Sequence, residues 1–207
     1  MRMQAMAVAL LLASIGASAQ AQVTTVYDND FESAVNPPGA AGTWSTGALY
    51  TRSGNTSLGM GSRGFFLSES PTLSFTGLDS FSGGQVMFRV LLWDTWDPGS
   101  PHCCGPDKVG FRINGGTLLL DSDFGPGDFG DRAFDFTFLI PAGSGDLSLE
   151  WLGSTTQTDE SWSLDNVNVQ LDFDAQQSVT PEPATYALMA TGLVGIGAVA
   201  RRRRRRS

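Results

Sequence analysis

Gln85-Val-Met-Phe-Arg-Val-Leu-Leu-Trp-Asp-Thr95 decides the fold. Val86, Phe88, Val90 and Leu92 fall on one side of an extended chain, because successive side chains of a strand alternate between faces. The same period of two recurs elsewhere. Val109, Phe111 and Ile113 form a stripe with Lys108 and Arg112 opposite; Phe134, Phe136, Phe138 and Ile140 form another, and Leu147, Leu149 and Trp151 a fourth. Thr24–Phe31, Gly64–Leu67, Thr72–Phe75, Thr117–Leu120 and Trp162–Phe173 complete a set of about nine strands, separated by Gly, Pro, Ser and Asp turns. Helix signals are nearly absent between them. The pattern predicts an all-β domain over 23–173, an antiparallel two-sheet sandwich of jelly-roll type. About 160 residues are enough for one domain with its own core.

In the last of these strands Trp162 and Leu164 share one phase, whereas Val167, Val169, Leu171 and Phe173 follow the other. The slip at Asp165-Asn166 predicts a β-bulge, which re-aims the neighbouring carboxylate. Near the start, Asp28, Asp30 and Glu32 are spaced i, i+2, i+4, and on an extended chain they project to one side. First and last strands of jelly rolls commonly pair. That pairing brings Asp30 and Glu32, with Asp28 beside them, toward Asp165, an oxygen-rich set suited to a structural Ca²⁺. A solvated strand edge with ordinary surface acids explains the same residues.

The two ends of the chain read as export signals. Met1-Arg2, the apolar Ala5–Gly16 and the small residues of Ala17-Ser-Ala-Gln-Ala21 have the order of a cleaved signal peptide over 1–21, a substrate for signal peptidase. After a polar linker at 174–180 come Thr180-Pro181-Glu182-Pro183, an uncharged 17-residue run from Ala184 to Ala200, and Arg201, Arg202, Arg203 through Arg206. The prolines hold an extended spacer. The run is at the short end of what spans a bilayer as a helix, and the arginines remain on its cytoplasmic side. In its three parts, 180–207 resembles the PEP-CTERM sorting signal of Gram-negative bacteria. The resemblance implies cleavage near Pro-Glu-Pro by a membrane protease of the exosortase type. It further implies passage through the inner membrane to the cell surface or extracellular matrix. A permanent type-I anchor fits the same residues.

The whole chain carries 13 basic and 21 acidic residues, net −8. Seven of the arginines belong to the signals, so the exported part holds six basic residues against 21 acidic ones, net −15. Such a domain repels nucleic acid and anionic lipid and attracts cations.

The termini of the domain carry a second resemblance. Asp30-Phe-Glu32, Trp44 and Trp162-Ser-Leu-Asp165-Asn166-Val167 are similar to the ends of MAM-type and related lectin-like jelly rolls, several of which hold a structural calcium there. The cysteine framework of animal MAM domains is missing. The two cysteines of this chain, Cys103 and Cys104, are adjacent. Their spacing allows only a distorted vicinal disulfide, and the alternative is two unlinked thiols. The sole histidine, His102, precedes them, which disfavours a zinc site.

Trp93-Asp94-Thr-Trp96-Asp97 leads into that Pro/Gly-rich loop. An exposed Trp96 flanked by Asp94 and Asp97 would stack on a sugar ring and accept its hydroxyl hydrogen bonds; alternatively both tryptophans close the core. Asp121 through Asp131 is an acidic loop without EF-hand spacing. No Gly-x-Ser-x-Gly or phosphate-binding Gly loop is present. The composite reading is a non-catalytic surface or matrix protein that binds exopolysaccharide. The alternative is a glycan-active hydrolase on the same fold.

Overall fold

The computed structural model describes residues 22–59, 68–94, 96, 107–124, 131–155, 160–173 and 191–192. Among these residues the chain forms nine strands: β1 (Gln22–Asn29), β2 (Thr43–Trp44), β3 (Ala48–Arg52), β4 (Asn55–Gly59), β5 (Thr72–Asp94), β6 (Lys108–Ile113), β7 (Leu120–Ser122), β8 (Arg132–Ser154) and β9 (Glu160–Phe173). Their pairings are antiparallel. They join one sheet in the order β3-β4-β9-β5-β8-β6-β7, with β1 also on β9 and β2 on β5.

One hydrogen-bonded sheet stands where two were expected, and the reason lies in β5 and β8. Thr72–Phe75 and Gln85–Asp94 are parts of one 23-residue strand, as are Phe134–Ile140 and Leu147–Trp151. These strands run through both halves of the domain and fold the sheet onto itself. The Trp151 amide donates to the Pro71 carbonyl, 3.0 Å away. A straight strand would hold Pro71 and Phe88 roughly 55 Å apart at ~3.3 Å per residue. Yet the Phe88 and Trp151 ring centroids are 5.3 Å apart. The fold-over occurs where the β5–β8 ladder loses register, between Phe75 and Leu78 and between Leu78 and Phe81. Gly77 and Gly145 there have φ of 66° and 81°, a conformation costly for other residues.

The predicted stripes line the space between the two halves. Val86, Val90, Val109, Phe111, Leu149, Trp151, Trp162, Leu164, Val167, Val169 and Leu171 are fully buried. Phe134, Phe136 and Phe138 pack against this core from the side. The phase slip in β9 is a bulge: Met87 is opposite Asn168, but Arg89 is opposite Asp165, and Asn166 has φ 49°.

The hairpin β3–β4 has no counterpart among the expected strands. Its turn, Ser53-Gly54, has positive φ at both residues, the geometry of a two-residue type I′ hairpin. The signal peptide, Gly64–Leu67, Asp97, Cys103, Cys104, the linker and the sorting residues lie outside the described residues. At the C-terminus only Thr191 and Gly192 are described, and they are helical. Among the described residues no helix is long and apolar enough to cross a membrane.

Candidate functional site

The site grows from the end of β1. Asn29 is buried, and its amide nitrogen donates to the Tyr27 hydroxyl (3.0 Å), the Ala34 carbonyl (2.9 Å) and the Val35 carbonyl (3.1 Å). Its oxygen accepts the Phe31 N–H at 2.8 Å, an Asx turn that holds Phe31 at φ 56°. Trp44 Nε1 donates to Tyr27 Oη at 2.7 Å, and Tyr27 in turn donates to Val35. Burial pushes the Tyr27 phenol up, against the side-chain hydrogen bonds from Asn29 and Trp44. The network anchors the chain leaving β1 as a rim beside the sheet.

That rim corrects the expected row of acids. Strand β1 ends at Asn29 and the chain turns at Phe31, so Asp28, Asp30 and Glu32 do not share one extended face. Asp28 points out of the sheet, where its Oδ1 accepts Asn168 Nδ2 at 3.0 Å. Asp30 Oδ1 accepts the Glu32 N–H at 3.1 Å.

Pairing of β1 with β9 does bring Asp165 into the field of Asp30 and Glu32. Burial pushes the Asp165 carboxyl above its ordinary value. The Asn166 N–H and Arg89 oppose the rise, and the charges of Glu32 and Asp30 add to it. Both Asp165 oxygens are engaged by Asn166, one by its N–H and one by its amide. Among the described residues no three acidic, histidine or cysteine side chains converge closely enough to hold a metal ion. The carboxylates expected to cage Ca²⁺ are therefore neighbours without forming a three-carboxylate cage.

Across the outer face of the sheet, Asp28, Asn168 and Met87 stand in one row on β1, β9 and β5. With Asn29, Asp30, Ser33, Pro37 and Asn166 they line an open groove of about 510 Å³. Arg89, one step along, is held by Asp135 in two hydrogen bonds of 2.7 and 3.1 Å, which lower the Asp135 pKa.

The other expected site is corrected more sharply. Trp96 is buried, with its Nε1 donating to the Asp123 carbonyl at 3.0 Å and its ring edge-on to Phe124. It presents no face to a sugar. Asp94 is clamped by Arg52 at 2.7 and 2.8 Å, and Arg52 also reaches Asp131 at 3.1 Å. Arg52 lies 5.2 Å from the ring centre of Trp93, whose Nε1 donates to Ser163 Oγ. These groups fasten the β3–β4 hairpin to β5. Asp97 lies outside the described residues.

Asn29, Asn168, Met87 and Arg52 were not singled out from sequence. The outward phase of β5 and β9, fixed by Val86 and Val169 facing inward, was the signal that would have found Met87 and Asn168.

Residues 179–205 match the PEP-CTERM protein-sorting motif. The match marks an exported protein sorted through the membrane and processed by exosortase, a membrane protease. No curated protein matches the chain. Among solved structures, the K1 cleaved adhesin domain of Lys-gingipain from Porphyromonas gingivalis W83 is 17% identical, with TM-score 0.43, over 70% of this chain and 97% of that one. The C-terminal CBM6 of LamC, a marine laminarinase from Zobellia galactanivorans, is 13% identical, with TM-score 0.35, over 72% and 99%. A family 35 carbohydrate-binding module from Clostridium thermocellum is 10% identical, with TM-score 0.36, over 72% and 98%.

Proposed function

We propose that this is a non-catalytic, exosortase-processed protein of the cell surface or extracellular matrix, whose β domain binds exopolysaccharide through the outer face of its sheet. The sorting motif at 179–205 carries the reading. The groove over Asp28, Asn168 and Met87 supports its second half, since it offers hydrogen-bonding groups beside an apolar thioether on an open surface. In a host with the protease, mass spectrometry of the mature protein finds a C-terminus near Pro181–Pro183. An intact Arg201–Arg206 tail on the exported protein rejects the sorting half. A glycan array followed by hydrolysis assays on the hits tests the rest: binding without turnover is expected, and turnover favours the hydrolase reading.

Calcium belongs to this reading as a stabiliser. Asp30 and Glu32 repel a half-buried Asp165, and a cation relieves that repulsion. Excess calcium then raises the melting temperature, because it binds the folded state, and Asp165→Ala removes the rise. Equal melting in calcium and EDTA removes calcium from the proposal.

A further inference from the structure

The groove's chemistry is one-sided. Asp28 and Asp30 supply carboxylates, and no basic residue is among the described residues that line it. Its amide donors are partly engaged: Asn29 Nδ2 inside the β1 turn, and one N–H each of Asn166 Nδ2 on Asp165 and of Asn168 Nδ2 on Asp28. Among the described lining residues the side-chain donors left over, the Ser33 hydroxyl and the second N–H of Asn166 and of Asn168, are all neutral. Acceptors are left over. Asn168 Oδ1 is buried with no hydrogen-bond partner, under a groove whose other wall is the flexible Met87. Arg89, the nearest base along the sheet, is neutralised by Asp135.

We infer that this groove takes a donor-rich, cationic stretch of glycan, a run of amino sugars bearing free ammonium groups, and rejects uronate-bearing chains. The inference rests on the glycan-binding reading and names the class of sugar. An ammonium meets Asp28 and Asp30, sugar hydroxyls donate to the free acceptors, and Met87 and Pro37 offer apolar surface to the C–H face of a pyranose. A uronate carboxylate meets like charge and, among the described lining residues, no cation.

The test titrates the detergent-solubilised full chain, in EDTA, with four probes: a β-1,4-glucosamine tetramer, cellotetraose, a galacturonate tetramer and a pentalysine peptide. The ammonium groups are kept charged throughout. The glucosamine tetramer binds about tenfold more tightly than cellotetraose, the scale of one charge-assisted hydrogen bond. The galacturonate tetramer does not bind. Asp28→Asn, which keeps the side chain's shape, erases the preference: the variant binds the glucosamine tetramer and cellotetraose equally. Equal affinity for the two neutral and cationic tetramers, or binding of the uronate, overturns the inference and leaves glycan binding standing. A preference that survives in Asp28→Asn overturns the assignment to this groove. Pentalysine binding as tightly as the amino sugar makes the groove a cationic-peptide site and overturns the inference. Failure of all three glycans to bind overturns the glycan-binding reading with it.

Discussion

At the residue scale, Asn29 is the side chain on which the rim of the groove depends. It satisfies two carbonyls, a phenol and the N–H of Phe31 in a buried place. Asn29→Ala leaves these groups without partners, so a loss of about 2–4 kcal/mol is expected, read from the midpoint of chemical denaturation. Trp96 is a second such residue. The sequence allowed it to be either a sugar platform or a core residue, because alternation ends before it and nothing in Asp94-Thr-Trp96 says which way the chain turns. The structure turns it inward, after an Asp94 at φ 64°. Trp96→Ala therefore unfolds the domain by about 3–5 kcal/mol, seen as a fall in melting temperature. Glu150 gives a pH-dependent case. Hydrogen bonds from Arg112 at 2.7 and 2.8 Å hold its carboxyl below the ordinary value of 4.5. A depressed folded pKa adds stability above 4.5 that is lost as pH falls through the folded value. Glu150→Gln should melt lower than the parent near neutral pH, and the two melting curves should converge in acid.

At the element scale, the strands that were legible are those with one buried face. The β6 boundaries, Lys108–Ile113, match those expected, and the β9 bulge was readable because six apolar residues on a central strand must all face inward. The continuity of β5 was not readable. Gly77, Gly83 and Gly84 look like turn residues, yet Gly83 and Gly84 are paired and the strand continues across the register break at Gly77. Gly84 is there for closeness: a Cβ would lie 2.3 Å from the Gln170 carbonyl oxygen, whereas at Gly83 the nearest atom is 3.6 Å away. Gly84→Ala should force β5 from β9 and cost about 1–3 kcal/mol. Gly83→Ala should leave the melting temperature unchanged or slightly raised. Equal effects at the two positions would show that this close approach of β5 and β9 does not limit packing. The β3–β4 hairpin was legible in principle from Ser53-Gly54 between Leu49-Tyr50 and Leu58. Its polar residues gave no alternating stripe, and its docking through Arg52 depends on Asp94, distant in sequence.

At the scale of the whole molecule, the order of the strands bears on export. Strand β9 is the last to be synthesised, yet it lies inside the sheet, bonded to β1, β4 and β5. Gln22 pairs with Phe173, so both ends of the domain leave it at the same place. Val167, Val169 and Leu171 from this strand are fully buried, as are Trp162 and Leu164. Without it the core opens along its centre, and the ladders of β1 and β5 lose a partner. The pairings that β9 makes are also distant in sequence, which makes them slow to form. The domain therefore cannot close until residue 173 is outside, by which time the sorting signal a few residues later has reached the membrane. Two truncated exported chains test this. A stop after Thr155 should leave a chain digested completely by low protease, while a stop after Ala175 should leave a resistant fragment containing β1 through β9. A resistant core in the shorter chain would mean that the other eight strands close without β9, and that folding is independent of the arrival of the sorting signal.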